Sequence, residues 1–280
     1  MNEAAVGFQC PECVAAAAAR TRDVRTVLGA RVDARTGLVS YTLVAIIIGV
    51  AVLGFLLNAI GGPDLRTSLG VVGIAIDVTD SGPTLIGVAD GEYYRLLTAQ
   101  FVHGGLLHLL FNCYVLFVIG PFVESAIGRL RFLALFLISG ITGAVASYLF
   151  NDPQTLSVGA SGAIFGLFGA ALVINHRLGR RTNEILGLLV LNLVLGFVIP
   201  NIDWRAHLGG LIAGSLVAAV LAFSAPRLRQ AGFIVVCLVI LTVDTLLVAS
   251  RTTQLRDQSF PDGWRAAGAV AESVEVVPRA

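Results

Sequence analysis

Five polar residues with catalytic potential lie in long apolar stretches of the chain. His103, His108 and Asn112 share one stretch, Ser161 lies in a second, and His207 lies in a third. A histidine can take the proton of a serine hydroxyl and so make the serine a nucleophile. Imidazole or amide donors can stabilise the oxyanion that forms. These residue types predict acyl-transfer chemistry, provided that the fold brings the three stretches together.

The spacing of the histidines disfavours a metal site. In a continuous helix His103 and His108 would be about 140° apart, whereas His108 and Asn112 would share one face. No glutamate follows in an H-E-x-x-H pattern. We therefore do not expect a zinc protease.

Ser161 lies in the sequence Gly159-Ala-Ser-Gly162, at the start of a predicted helix. Backbone N–H groups in a first helical turn lack helical partners and can bind an oxyanion. Gly162 and Gly166 form a small-xxx-small pair that lets another helix approach closely. The alternative interpretation is that Ser161 is one more small packing residue.

His207 precedes a second small-xxx-small pair, Gly210 and Gly214. The alternative here is a structural histidine near the membrane interface. Two acids could extend a serine–histidine pair to a triad. For Asp203 we favour a role as a solvated residue of the loop before His207 or of a cap over the site, and Asp244 in the last apolar stretch should be neutral or paired.

The composition indicates which elements must position these residues. The chain has 280 residues, of which 56% are apolar and 13% are charged, about half the charged share of a soluble domain. Its mean hydropathy is +0.84 and its net charge is +1. These values exclude a soluble enzyme, a disordered chain and a nucleic-acid binder. They predict a polytopic helical membrane protein.

Seven stretches are long and apolar enough to span a bilayer as helices. Twelve of the 19 arginines fall on one side of these predicted spans. The positive-inside rule then predicts a cytoplasmic N-terminus and a C-terminus outside, with Ser161 and His207 at similar depth near the outer surface. The spans are predicted near 41–60, 96–120, 130–150, 159–176, 184–200, 205–224 and 231–250.

In these motifs the chain resembles the rhomboid family of intramembrane serine proteases. The family's first-loop Trp-Arg pair is only half kept, as Tyr94-Arg95. The resemblance covers residues 41–224. The matching residues are His103, His108 and Asn112; Gly159, Ser161 and Gly162; Ala206, His207, Gly209 and Gly210; and Glu124, Gly128 and Arg131.

The resemblance implies an all-α polytopic membrane protein with a six-helix rhomboid-like core. We expect a cytoplasmic N-terminal segment at 1–40, the core at 41–224, an extra seventh transmembrane helix at 231–250, and a polar extracytoplasmic tail at 251–280. The loop after the first span and the loop at 200–206 would correspond to a membrane-embedded loop and a cap over the site.

The resemblance also implies the chemistry and the partners. Ser161 would be the nucleophile and His207 the general base, with no cofactor. The Ser161 N–H, His108 and Asn112 would hold the oxyanion, and Gly159 and Gly162 would belong to the same oxyanion and substrate-binding site. His103 would support that cluster or handle water. The substrates would be transmembrane proteins cut near the outer boundary, in the lipid bilayer of a bacterial cell membrane. No nucleic acid is expected.

Cys10 and Cys13 form a single C-x2-C motif before the first span. A structural zinc site needs four ligands, so the motif is a half-site at most. We favour two free thiols. The alternatives are a remnant of a cysteine-rich module, a start that lies upstream, or a zinc ion shared by two chains.

Two other functions compete with the protease. A catalytically silent binder or chaperone could use the same fold, although that class would lack Ser161 or His207. A transporter is suggested only by polar groups at membrane depth, and the paired repeats typical of transporters are not evident in the sequence.

Overall fold

A computed structural model describes residues 2–3, 8–20, 25–30, 36–79, 82–198 and 202–259. Within these ranges most residues are helical, and the strands form two short antiparallel hairpins, β1–β2 and β3–β4. The helices are α1 (Pro11–Arg20), α2 (Leu38–Ala59), α3 (Leu65–Leu69), α4 (Arg95–Thr98), α5 (Leu106–Ile127), α6 (Arg129–Phe150), α7 (Ser161–Arg177), α8 (Asn183–Val198), α9 (Trp204–Phe223) and α10 (Arg229–Ser259), and the strands are β1 (Asn2–Glu3), β2 (Phe8–Gln9), β3 (Ala75–Thr79) and β4 (Gly82–Ile86).

Five helices among the described residues are long and apolar enough to cross a membrane: α2, α5, α6, α9 and α10. The helices α7 and α8 have 17 and 16 residues and are shorter. A mostly helical, polytopic membrane protein is therefore confirmed. The count of six core helices and one additional transmembrane helix stays a prediction.

The helix α7 is the centre of the bundle. Every residue from Gly162 to Ala171 is buried, because α7 packs against α5, α6 and α9. By contrast, α2 and α8 expose apolar side chains along their lengths, as expected of helices that face lipid. The residue that begins this central helix is Ser161.

Glycines allow α7 and α9 to touch through their backbones. A Cβ built on Gly210 would overlap the carbonyl oxygen of Gly162, and one built on Gly214 would overlap that of Gly166. No larger residue fits at these crossings without separating the helices. The two small-xxx-small pairs seen in the sequence therefore meet each other.

The second apolar helix begins later than predicted. We expected a span over 96–120, but α5 runs from Leu106 to Ile127. The preceding helical turn ends at Phe101 and Val102 is extended. Gly104 and Gly105 then separate this turn from α5, since glycine disfavours helix by about 1 kcal/mol per residue. His103 consequently lies before α5, and the helical angle predicted between His103 and His108 does not apply.

Arg95 organises the loop between α2 and α5. Its side chain is only 2% exposed. It donates hydrogen bonds to Glu92 Oε2 at 2.7 Å and to the carbonyl oxygens of Thr67 at 2.5 Å and Gly70 at 2.9 Å. Burial raises the pKa of Glu92, but the hydrogen bonds from Arg95 and the Gly87 N–H lower it more, so the net shift is downward. The half-kept Tyr94-Arg95 motif thus retains the residue that ties the loop together.

Glu124 caps the start of α2 from a distant point in the sequence. Its carboxylate accepts from the N–H groups of Val39 at 3.1 Å and Ser40 at 2.8 Å, and from the Ser40 hydroxyl at 2.8 Å. The N-cap residue itself, Gly37, offers no side-chain acceptor. A carboxylate at a helix N-terminus satisfies free N–H groups and the helix dipole.

The helix α10 continues to Ser259, past the predicted end at 250. Asp244 is buried against α6 and accepts from the Thr142 hydroxyl at 2.8 Å, so this acid has the partner that its depth requires. The rest of the predicted tail, from 260, lies outside the described residues, as do 199–201 of the predicted cap loop.

Candidate active site

Ser161 is the first residue of α7. The chain enters the helix through Gly159, whose φ of +123° is accessible to glycine, and the Gly159 N–H donates to Ala99 O at 2.9 Å. This hydrogen bond fixes the turn before the serine. The backbone N–H groups around Ser161 belong to the first helical turn and are free of intrahelical partners, as the sequence indicated.

His207 lies in the first turn of α9 and is 6% exposed. Its ring stacks on the ring of Phe165, with centroids 4.1 Å apart and an interplanar angle of 9°. Phe165 follows Ser161 by four residues and therefore shares its helix face. The stack places His207 one turn along α7 from the serine. The sequence analysis did not identify Phe165 as a site residue. Its position four residues after Ser161, and so on the same helix face, was the signal that could have indicated it.

The two side chains are not hydrogen-bonded to each other in this structure. His207 Nδ1 is buried and has no hydrogen-bond partner among the described residues. A Cβ built on Gly196 of α8 would lie 3.4 Å from this nitrogen, so a small residue at this position keeps space beside the ring. Catalytic hydrogen bonds are often long in enzymes without substrate, and the arrangement is compatible with a proton acceptor.

His108 and Asn112 converge on the turn that precedes Ser161. A Cβ built on Gly159 would lie 2.7 Å from His108 Nε2 and 3.8 Å from Asn112 Nδ2. Asn112 donates to its own helix at His108 O, at 3.0 Å. Both side chains therefore face Gly159, two residues before the serine, as their shared face on α5 predicted.

His103 contacts the same turn. The Ala160 N–H donates to His103 Nε2 at 3.5 Å, and the His103 ring meets His108 edge-on with centroids 5.1 Å apart. Burial and the neighbouring His108 lower the pKa of His103 to about 4. A ring nitrogen that accepts a hydrogen bond must be unprotonated, which agrees with a neutral His103 at pH 7.

Asp203 serves as the N-cap of α9. Its carboxylate accepts from the Ala206 N–H at 3.2 Å, from Ser157 Oγ at 2.7 Å and from Asn151 Nδ2 at 2.9 Å. It thereby fastens the loop between α6 and α7 to the start of α9. Among the described residues no hydrogen bond joins it to the ring of His207.

No group of three or more metal-ligating side chains occurs among the described residues. Cys10 and Cys13 are exposed at the start of α1. Hydrogen bonds from the backbone of Cys13 and Glu12 lower the pKa of Cys10. Both thiols of the C-x2-C motif are exposed in the part of the chain that the structure describes, and the absence of zinc from this motif stays a prediction.

Comparisons with known proteins point to one family. The sequence model of the Rhomboid domain matches residues 90–224, a range that contains every candidate site residue from His103 to His207. The chain is similar to "Rhomboid protease GluP" of Bacillus subtilis, with 44% identity over 139 residues, covering 48% of this chain and 27% of that protein.

Two further relatives extend this likeness. "Putative rhomboid protease YdcA" of Bacillus subtilis is 40% identical over 138 residues, covering 48% of this chain and 69% of that protein. "RHOMBOID-like protein 5" of Arabidopsis thaliana is 39% identical over 142 residues, covering 48% of this chain and 46% of that protein. The match thus spans from about a quarter to about two thirds of these relatives' lengths.

Proposed function

Since this chain belongs to the rhomboid family, a family of intramembrane proteases, we propose that it is a serine endopeptidase that cleaves transmembrane segments. One observation carries the proposal. Ser161 opens the central helix, and His207 stacks on Phe165 one turn later on the same face. This arrangement supports a nucleophile and a base carried by two helices whose glycines are in contact.

Ser161 is the nucleophile and His207 the general base in this proposal. Ser161 Oγ attacks the carbonyl carbon of the scissile peptide bond, and its proton passes to His207. His207 then gives that proton to the departing amine as the C–N bond breaks, which leaves an ester on Ser161. Water, deprotonated by His207, hydrolyses the ester and restores both side chains.

The oxyanion is stabilised by the groups that surround Gly159. The Ser161 N–H, His108 and Asn112 donate to the negative oxygen of the tetrahedral intermediate. Gly159 and Gly162, on either side of Ser161, belong to the same binding site. The contact of His108 with the Gly159 position supports this assignment. His103 holds the turn through Ala160 and keeps His108 in place.

The proposed pair works without a third acid. The buried His207 Nδ1 has no partner among the described residues, and Asp203 is engaged by Ser157, Asn151 and the Ala206 N–H. The packing of His207 on Phe165 replaces the orienting role that an acid has in a triad.

The multi-pass membrane protein has its N-terminus in the cytoplasm and its C-terminus outside in this proposal, in a bacterial membrane. Residues 41–224 are the six-helix protease core, 231–250 belong to a seventh helix, and the flanking segments 1–40 and 251–280 are cytoplasmic and extracytoplasmic. Substrates are transmembrane proteins cut near the outer boundary. Their helices must unwind locally before a carbonyl becomes accessible to a serine.

A silent membrane-protein binder on the same fold is the alternative. Such a protein would hold transmembrane helices without cutting them. The missing hydrogen bond between Ser161 and His207 is the observation that favours it. Cleavage by the purified protein decides between the two functions.

The test is cleavage of a fluorogenic single-span substrate in liposomes by the full chain. We expect Ser161→Ala and His207→Ala each to lower kcat by at least about a thousandfold. Ser139→Ala and His176→Ala are matched controls, since the buried Ser139 hydroxyl has no partner and His176 lies at the far end of α7. Both controls should stay within twofold of the wild type, and a chelator should have no effect.

Two outcomes would reject the protease. Equal cleavage by Ser161→Ala would mean that another nucleophile or a contaminant is responsible. A folded wild-type protein that binds single-span substrates without cutting them would establish the binder.

A further inference from the structure

A cavity of about 700 Å³ opens at the end of the bundle opposite Ser161. The helix α7 runs its full length between the two places, since Ser161 begins it and the cavity borders Leu178 just after its end. The walls are the turn at 26–30, the junction of α5 and α6 at 124–131, and the start of α10 at Gln230 and Phe233. The proposed catalytic residues take no part in it.

Three arginines meet at the turn that borders this cavity. Arg25 Nη1 donates to Gly29 O at 3.2 Å, Arg131 Nη1 donates to Leu28 O at 3.1 Å, and Arg229 Nη1 donates to Val27 O at 3.0 Å. A Cβ built on Gly29 would lie 3.2 Å from Arg229 Nη1 and 4.0 Å from Arg131 Nη1. The three positive charges are therefore concentrated around one short turn.

The charges of these arginines are not neutralised by acids among the described residues. Arg131 donates its Nε and Nη2 to Gln230 Oε1, at 3.1 and 2.7 Å, and this partner is a neutral amide. Arg229 is 8% exposed, and its Nε has no hydrogen-bond partner. A buried charge without a counter-charge is costly, so the arrangement favours an incoming anion.

Glu124, the carboxylate that borders the cavity, is engaged elsewhere. Both of its oxygens accept hydrogen bonds from the first turn of α2. It therefore cannot serve as the counter-charge of Arg131 and Arg229 without uncapping that helix.

We propose that this cavity binds a phosphate-bearing anion through Arg131, which lines it, while Arg229, bonded to the same turn, adds to the positive charge there. Guanidinium groups bind phosphate through paired, charge-assisted hydrogen bonds. The apolar walls formed by Phe122, Leu130 and Phe233 suit the chains of an amphiphile, and clustered arginines at a membrane surface attract anionic lipids. The phosphate belongs to a phospholipid headgroup or to free phosphate, and the experiment below distinguishes these sources. The site does not depend on the proposed proteolysis.

The first arm of the test compares ligands on the full chain in neutral detergent. The unfolding temperature is measured with phosphatidylglycerol, phosphatidylcholine or inorganic phosphate, each at the same ionic strength set by chloride. We expect phosphatidylglycerol to raise the unfolding temperature and phosphatidylcholine to leave it unchanged. A rise with inorganic phosphate alone would assign the site to the free ion.

The second arm uses substitutions in the cluster. Arg131→Gln should weaken binding of phosphatidylglycerol at least about tenfold, the loss of one charge-assisted contact. Gln230→Glu has the same shape as the native side chain and converts its two hydrogen bonds with Arg131 into an ion pair. It should fold at least as well as the wild type and yet weaken binding by about the same factor, because the new carboxylate neutralises the arginine.

Arg177→Gln is the matched control. Arg177 lies at the same end of the bundle and donates to a carbonyl oxygen, that of Ala222, at 3.0 Å, but it does not border the cavity. Its removal should change the affinity less than twofold. Equal responses to phosphatidylglycerol, phosphatidylcholine and chloride would overturn the proposal, and so would wild-type affinity in a folded Gln230→Glu protein.

Discussion

The two ends of α7 differ in the buried polar groups that lie beside them, which are uncharged at one end and charged at the other. At the Ser161 end, helix backbones touch through Gly162 and Gly210, and the buried ring nitrogen of His207 has no partner. At the other end, Arg131 and Arg229 are charged and each donates to a backbone carbonyl. A buried uncharged group without a hydrogen-bond partner destabilises the fold by about 1–3 kcal/mol, whereas a buried charge without a counter-charge destabilises it more. The first end is suited to chemistry and the second to holding an anion.

Gly210→Ala is expected to have the largest effect and to damage only the first end. The new methyl group would overlap the Gly162 carbonyl oxygen, so α9 must move away from α7. We expect a loss of more than about 3 kcal/mol in the free energy of unfolding, and loss of cleavage. The unfolding temperature and the cleavage rate are measured together.

Gly187→Ala is the control for this substitution. Gly187 lies within α8, and a Cβ built on it meets nothing within 4 Å. Alanine should therefore stabilise that helix by about 0.5–1 kcal/mol. Equal stability of Gly210→Ala and Gly187→Ala would contradict the close glycine contact of α7 and α9.

Acid should affect the two ends differently, by up to about 3 kcal/mol. The pKa of His103 is lowered to about 4 from the ordinary value of 6.5, so the unfolded chain takes up a proton before the folded one. The stability contributed by neutral His103 is complete above pH 6.5 and is lost as the pH falls towards 4. Unfolding measured across this range should show a steeper pH dependence in the wild type than in His103→Gln.

Arg131→Gln provides the contrast at the other end. Arginine stays charged throughout this pH range, so the substitution should leave the pH dependence of unfolding as it is in the wild type. A His103→Gln protein that loses stability with acid as steeply as the wild type would show that another group is responsible.

The sequence predicted the elements that depend on composition and local pattern. Apolar stretches revealed the five described helices that are long and apolar enough to cross a membrane, and the spacing of Gly162, Gly166, Gly210 and Gly214 predicted the close helix crossing that the structure contains. The spacing in the sequence was sufficient to predict this crossing, because helical periodicity places the two glycines of each helix on one face.

The sequence did not predict features that depend on contacts between distant segments. The stack of Phe165 on His207 needs two helices in register, and the meeting of Arg25, Arg131 and Arg229 at one turn joins segments far apart in the chain. The start of α5 was placed too early because the chain becomes extended at Val102, before Gly104 and Gly105. Hydropathy alone does not register such a break.

Phe165→Leu should have the smallest effect and separates positioning from packing at the Ser161 end. It removes the ring on which His207 stacks, a contact of about 1 kcal/mol, and should lower kcat about five- to tenfold with little change in KM. Phe168→Leu is the matched control, because Phe168 is equally buried in α7 and contacts Phe165 edge-on. Both substitutions remove the same volume from the core and should lower the unfolding temperature similarly, whereas only the first removes the stack on His207. Equal kcat values for the two variants would show that Phe165 merely fills space and that His207 is oriented by other contacts.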